Sequence, residues 1–113
     1  MAVTYDQVRQ AALALPGVED STSWGNRSLK VKGKLLAVLK EDGETLVLRV
    51  PFPDKDFLLA ADPELFWTTP HYDGYAAVLV RLKRLNKGDL AELVQRSHAF
   101  VTRPKERKRA KKR

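Results

Sequence analysis

The chain has 113 residues, 21 Lys and Arg against 14 Asp and Glu, 43% hydrophobic residues and no cysteine. That suits a single domain that buries roughly 65% of its unfolded surface unaided, and it excludes a disulfide scaffold, a thiolate zinc site, an iron–sulfur cluster and a thiol nucleophile. No apolar run approaches the ~20 residues of a membrane span, and Met1-Ala2-Val3-Thr4-Tyr5-Asp6 lacks a signal peptide's basic-then-apolar layout, so a cytoplasmic protein is expected.

Thr4 to Leu15 reads as a helix, with Tyr5, Val8, Ala12 and Leu15 on one face and Asp6, Arg9 and Gln10 opposite. Thr4 and Gln7 match a capping box, and Pro16-Gly17 stops the helix. From Ser21 to Val50 the pattern changes to strands. Leu29 and Val31 alternate with Lys30 and Lys32, Gly33 supplies a tight turn, and the apolar run Leu35 to Leu39 suits a central strand covered on both sides. Asp42-Gly43 signals a second hairpin, after which Thr45 to Val50 completes a meander of three antiparallel strands.

Pro51-Phe52-Pro53 closes that segment, and Asp54 is placed to cap a short helix through Ala61 with Phe57, Leu58 and Ala61 as its apolar stripe. Phe66 to Thr69 reads as a short strand, residues 70–74 as a loop, and Tyr75 to Lys83 as a strand with Val78, Val80 and Leu82 on one face. Asn86 and Asp89 resemble another capping pair, and Leu90, Leu93, Val94, Ser97 and Val101 recur at helical spacing over Lys87 to Val101. No internal repeat and no second domain is visible. The division is a body of residues 1–102 and a basic run of residues 103–113.

Position decides what the charge means. The body holds 13 basic and 13 acidic side chains, so the excess lies in Arg103, Lys105, Arg107, Lys108, Arg109, Lys111, Lys112 and Arg113, accompanied by one acid. A run of like charges that repels itself and buries nothing is expected to be disordered in isolation. Within the body, residues 21–40 carry Arg27, Lys30, Lys32, Lys34 and Lys40 without an acid, and residues 81–87 carry Arg81, Lys83, Arg84 and Lys87 without one. Residues 41–73 hold eight acids against Arg49 and Lys55. If the two basic stretches meet, the body has a positive side and a negative side.

Several short stretches in a fixed order resemble the small bacterial MmcQ/YjbR-like proteins. They are Leu15-Pro16-Gly17-Val18-Glu19 at the first helix end, Trp24-Gly25, Lys30-Val31-Lys32-Gly33-Lys34 with Ala37 following, Pro70-His71-Tyr72-Asp73-Gly74-Tyr75, and Ser97-His98-Ala99-Phe100-Val101. The resemblance implies an α+β fold, a twisted antiparallel sheet packed against helices as in type III secretion chaperones. It also implies DNA binding through two projecting hairpins, a double wing. The sequence departs from that pattern at His98, where Tyr is common, at Asp73-Gly74, which replaces a basic version of the loop, and in the C-terminal basic run.

The C-terminal cations would displace counterions from a duplex and give a salt-dependent affinity that reads no sequence; the alternative is a merely solubilising end. Membrane attraction would need an apolar anchor, which Arg103 to Arg113 does not supply. Lys30, Lys32 and Lys34, extended by Arg27, Arg81, Lys83 and Arg84, are either phosphate-positioning contacts or a solvated sheet face. His71, Tyr72 and Asp73 complete no catalytic set: there is no Gly-x-Ser-x-Gly elbow, and two histidines are too few for zinc. Trp24, Trp67, His71, Tyr72 and Tyr75 are either core or the wall of a pocket. The expectation is a non-catalytic DNA-binding protein of low sequence specificity, with RNA as another polyanion, no cofactor, no metal and no membrane contact. The competing expectation is a protein-interaction or small-ligand module built on the sheet and the aromatic residues.

Overall fold

The structure, a computed structural model, describes residues 3–103. Apart from Arg103, the basic run whose disorder the sequence predicts lies outside the described residues. Ten elements follow one another: α1 (Tyr5–Leu13), β1 (Val18–Ser23), β2 (Asn26–Val31), β3 (Lys34–Leu39), β4 (Thr45–Arg49), α2 (Phe52–Ala61), β5 (Phe66–Trp67), β6 (Ala77–Arg81), a 3₁₀ turn (Leu82–Arg84) and α3 (Lys87–Thr102). The strands form one antiparallel sheet in the order β1-β2-β3-β4-β6-β5. The architecture is α+β, as expected.

Local chemistry accounts for the boundaries. The Thr4 hydroxyl accepts from the Gln7 amide while the Gln7 side chain accepts from the Thr4 amide, the reciprocal cap that starts α1. The helix ends at Leu13, two residues before the expected Leu15, because a residue preceding proline is pushed out of the helical region. The meander has four strands, not three. Val18–Ser23 offers one apolar residue and no alternation, so its periodicity is silent; six register pairs to β2 and a bidentate Arg9–Asp20 ion pair at 2.7 Å hold it instead.

Two further expectations are corrected. α2 starts at Phe52 with Pro53 in its first turn, where a missing N–H breaks no helical bond, and Asp54 is not its cap. Its expected stripe also fails in part: Phe57 is 70% exposed, whereas Lys55 is 3% exposed. The strand expected over Tyr75 to Lys83 is confined to Ala77–Arg81, because the ladder to β4 ends at the Arg81–Thr45 pair and Leu82 turns into the core.

The helices cover one face of the sheet. Leu29, Leu36, Leu46, Leu48, Val78 and Val80 meet Val8, Leu90, Leu93 and Val94 there in the main core. Val38, Val47, Ala77 and Leu79 form a second, smaller cluster on the other face, against which Leu35, Trp67 and Tyr72 pack. That face, called the open face below, is covered in part by the segment from β5 to β6. A β-bulge shapes it: Leu29 pairs Ala37 but Lys30 pairs Leu35, leaving Leu36 unpaired on β3.

Candidate functional site

Two-residue turns join β1 to β2 at Trp24-Gly25 and β2 to β3 at Lys32-Gly33. All four residues have positive φ, between 52° and 82°, the conformation that matches the twist of a tight hairpin. Glycine adopts it freely, but Trp24 and Lys32 bear a steric cost of about 1–2 kcal/mol each. Trp24 is nevertheless 85% exposed, so burial does not repay the strain.

Trp24 stands at one side of a cleft of about 320 Å³ on the open face. Leu35, Val38, Val47 and Ala77 make an apolar floor, and His71, Tyr72 and Tyr75 make an aromatic wall. Within the wall, His71 and Tyr72 meet edge to face with centroids 4.7 Å apart, and the Tyr75 ring lies 6.1 Å from Tyr72. Lys40 places its ammonium over the Tyr72 ring at 5.7 Å.

The segment that carries this wall is held from beneath. Lys55 of α2 sends its Nζ to the carbonyls of Tyr72, Asp73 and Tyr75 at 2.6, 3.3 and 2.8 Å. Burial pushes the ammonium down from its ordinary pKa, and the carboxylates of Asp73 and Asp56 oppose that shift. A charge-assisted contact to three carbonyls fixes a loop that has little secondary structure of its own.

Arg49 supplies the charge of the cleft. It ends β4 opposite Ala77, which places it on the open face, and its Nε donates to the Ala76 carbonyl at 2.9 Å. Its guanidinium lies over the Phe100 ring at 5.3 Å, and Arg103 lies over the same ring at 5.2 Å. Burial holds Arg49 below its ordinary pKa. Among the described residues no carboxylate pairs with it.

The basic residues singled out from the sequence do not gather on one side. Lys32 and Lys34 sit at the β2–β3 turn, whereas Arg81 pairs Thr45 beside the β3–β4 turn, at the opposite ends of the strands. Lys40, whose amide bonds to Thr45, comes six positions after Lys34 along β3, a span of roughly 20 Å. Several of these cations are already engaged. Arg27 pairs Asp6 at 3.5 Å and covers the Tyr5 ring, Lys83 pairs Glu44 at 3.2 Å, and Arg84 pairs Glu64 at 2.7 Å. Arg81 donates to the Glu64 carbonyl and stacks on Trp67 at 4.4 Å. Lys30 reaches the Thr22 carbonyl at 3.4 Å, and Lys30, Lys32 and Lys34 have no carboxylate partner among the described residues. Arg103 lies beside Phe100; Lys105, Arg107, Lys108, Arg109, Lys111, Lys112 and Arg113 lie outside the described residues.

Of the aromatic residues considered from the sequence, Trp24, His71, Tyr72 and Tyr75 line the one cleft, while Trp67 packs against the same apolar cluster without lining the cleft and lies under Arg81. Sequence reasoning missed Arg49 and Lys55. The available signal was that they are the two cations of an acid-rich stretch.

The model of the YjbR family matches residues 13–100. The chain belongs to the YjbR family. This YjbR chain is 47% identical over 53 residues to uncharacterized proteins of Mycobacterium bovis and Mycobacterium tuberculosis, a match that covers 46% of the chain and 41% of those relatives. It is also similar to the crystal structure of Deinococcus radiodurans protein DR2400, of the DUF419 domain family, with a TM-score of 0.78 and 22% identity over 96% of this chain and 87% of the other. That likeness establishes the fold. No helix among the described residues is long and apolar enough to cross a membrane.

Proposed function

We propose that this YjbR chain is a non-catalytic binding module whose working surface is the open face of the sheet, with the cleft between Trp24 and the His71–Tyr75 loop as its ligand site. One observation carries the reading: an indole held exposed at a strained backbone position lines the same cleft as a half-buried guanidinium with no carboxylate partner among the described residues. Strain and an uncompensated charge are both costs to the folded state, and they persist at sites that serve something other than folding. Amide shifts of the chain, measured against a library of small fragments, test it. Binding fragments should move residues 35–38, 47–49 and 71–77. A library whose hits move other surfaces, or none, ends the reading.

A second reading is low-specificity binding of DNA or RNA through phosphates. The uncommitted lysines of the β2–β3 turn favour it, together with the basic run that follows Arg103. Arg27, Lys83 and Arg84 add little to it, since each is neutralised by an acid. Reversing Lys30, Lys32 and Lys34 to Glu should weaken duplex binding and flatten its salt dependence by about 0.9 in the log–log slope for each phosphate contact removed. An unchanged slope would leave the hairpin no part in it.

A further inference from the structure

We propose that the cleft takes a planar aromatic ring bearing one anionic group, carboxylate or phosphate, with Arg49 as the anchor of the anion. This rests on the cleft reading given above and adds the chemistry of the ligand.

Arg49 differs from the other arginines of the body. Arg9, Arg27, Arg84 and Arg96 each meet a carboxylate, and Arg81 is exposed and stacked on Trp67. Arg49 is half-buried, spends its Nε on the Ala76 carbonyl and leaves its terminal nitrogens without a hydrogen-bonded partner among the described residues. A guanidinium taken partly out of water without a counter-charge is poised for a ligand that brings one, and its planar fork matches the two oxygens of a carboxylate or phosphate. Arg103, over the same Phe100 ring, adds a second cation near the anchor.

The rest of the lining selects the ring. An apolar floor excludes a strongly hydrated ion on its own, and a wall of Tyr72, Tyr75 and His71 facing the exposed indole of Trp24 offers flat surfaces for stacking. A volume of about 320 Å³ lies at the small end of ligand sites, which suits one or two fused rings with a short anionic arm. An anion without a ring leaves the floor and wall unfilled, and a ring without an anion leaves the guanidinium unpaired.

The full chain carrying Trp67→Phe makes Trp24 the only indole, so its fluorescence reports the cleft. The probes are 4-hydroxybenzoate and adenosine monophosphate, their uncharged counterparts phenol and adenosine, and inorganic phosphate as an anion without a ring. At least one charged ring compound should bind saturably, about tenfold or more tighter than its neutral counterpart, the scale of one charge-assisted hydrogen bond. The probe that does so distinguishes a carboxylate from a nucleotide source. Arg49→Gln should abolish the preference while phenol or adenosine binds as before. Should that variant fold poorly, Arg49→Lys keeps the charge, loses the fork and should reduce the preference. Equal affinity for charged and neutral rings would overturn the anchor and leave the cleft reading standing. Inorganic phosphate binding as tightly as the nucleotide would overturn the ring. No response of Trp24 to any ring compound would sink both.

Discussion

Lys55 shows how much one side chain can organise when it is buried and fully used. Its ammonium meets three carbonyls of the loop that carries Tyr72 and Tyr75, and Lys55→Met would leave all three without that donor. The variant should lose about 2 kcal/mol of unfolding free energy in urea, the scale of the charge-assisted hydrogen bonds removed, and should narrow the spread of the Tyr72 and Tyr75 ring signals. Asp42 plays a comparable part in the β3–β4 turn. The Glu44 amide, followed by the Thr45 hydroxyl and amide, holds its carboxyl below the usual range against the opposing effect of burial. The unfolded chain therefore binds that proton more readily than the folded one. The stabilisation is complete above the ordinary carboxylate value of about 3.9 and is lost as pH falls through the folded value. Urea midpoints taken at about pH 6 and about pH 3 should differ less in Asp42→Asn than in the parent chain.

At the level of elements, the Lys32-Gly33 hairpin was legible where glycine marks it, whereas the Trp24-Gly25 hairpin and the conformation of the first residue of each turn were not. Positive φ at Trp24 and Lys32 follows from the two-residue loop length, which only the paired strands reveal. A methyl group at Gly33 would meet nothing within 4 Å, so Gly33→Ala tests the backbone alone and should lower stability by about 1 kcal/mol in urea unfolding. Lys32→Asn should raise it by about 0.5 kcal/mol, since asparagine tolerates this conformation better. Strong periodicity located α1, β3, β4 and α3 closely. β1 escaped because its residues bury little, and pairing with β2 decides its state. β6 stopped short because its partner strand ends, a non-local fact that no window of the sequence contains.

Across the whole molecule, charge was countable from the sequence while its arrangement was not. Segregation by sequence position suggested a positive side, but strand order places Lys32 and Arg81 at opposite ends of the sheet and brings acids from other elements to Arg27, Lys83 and Arg84. Acids and bases far apart in the chain had found one another. The cleft was half legible: its aromatic residues could be named, whereas Arg49 read as a stray cation until the sheet set it beside Tyr75 and Phe100. Because residues 1–102 balance 13 basic against 13 acidic groups, a chain ending at Arg103 should elute from a heparin column at much lower salt than the full chain. Equal retention would assign the polyanion affinity to the body.

The unpaired Leu36 changes the parity of β3. In an unbroken strand Leu35 and Val38, three positions apart, would point to opposite sides; here both line the cleft floor, and Leu36 and Ala37 both join the helix-side core. Deleting that one residue would restore strict alternation with Leu35 and Val38 still on the cleft side, and would cost the core the Leu36 side chain and the strand its local bend. The cleft floor and the core therefore meet at a single inserted position, which fills the helix side with one side chain more than a regular strand would supply.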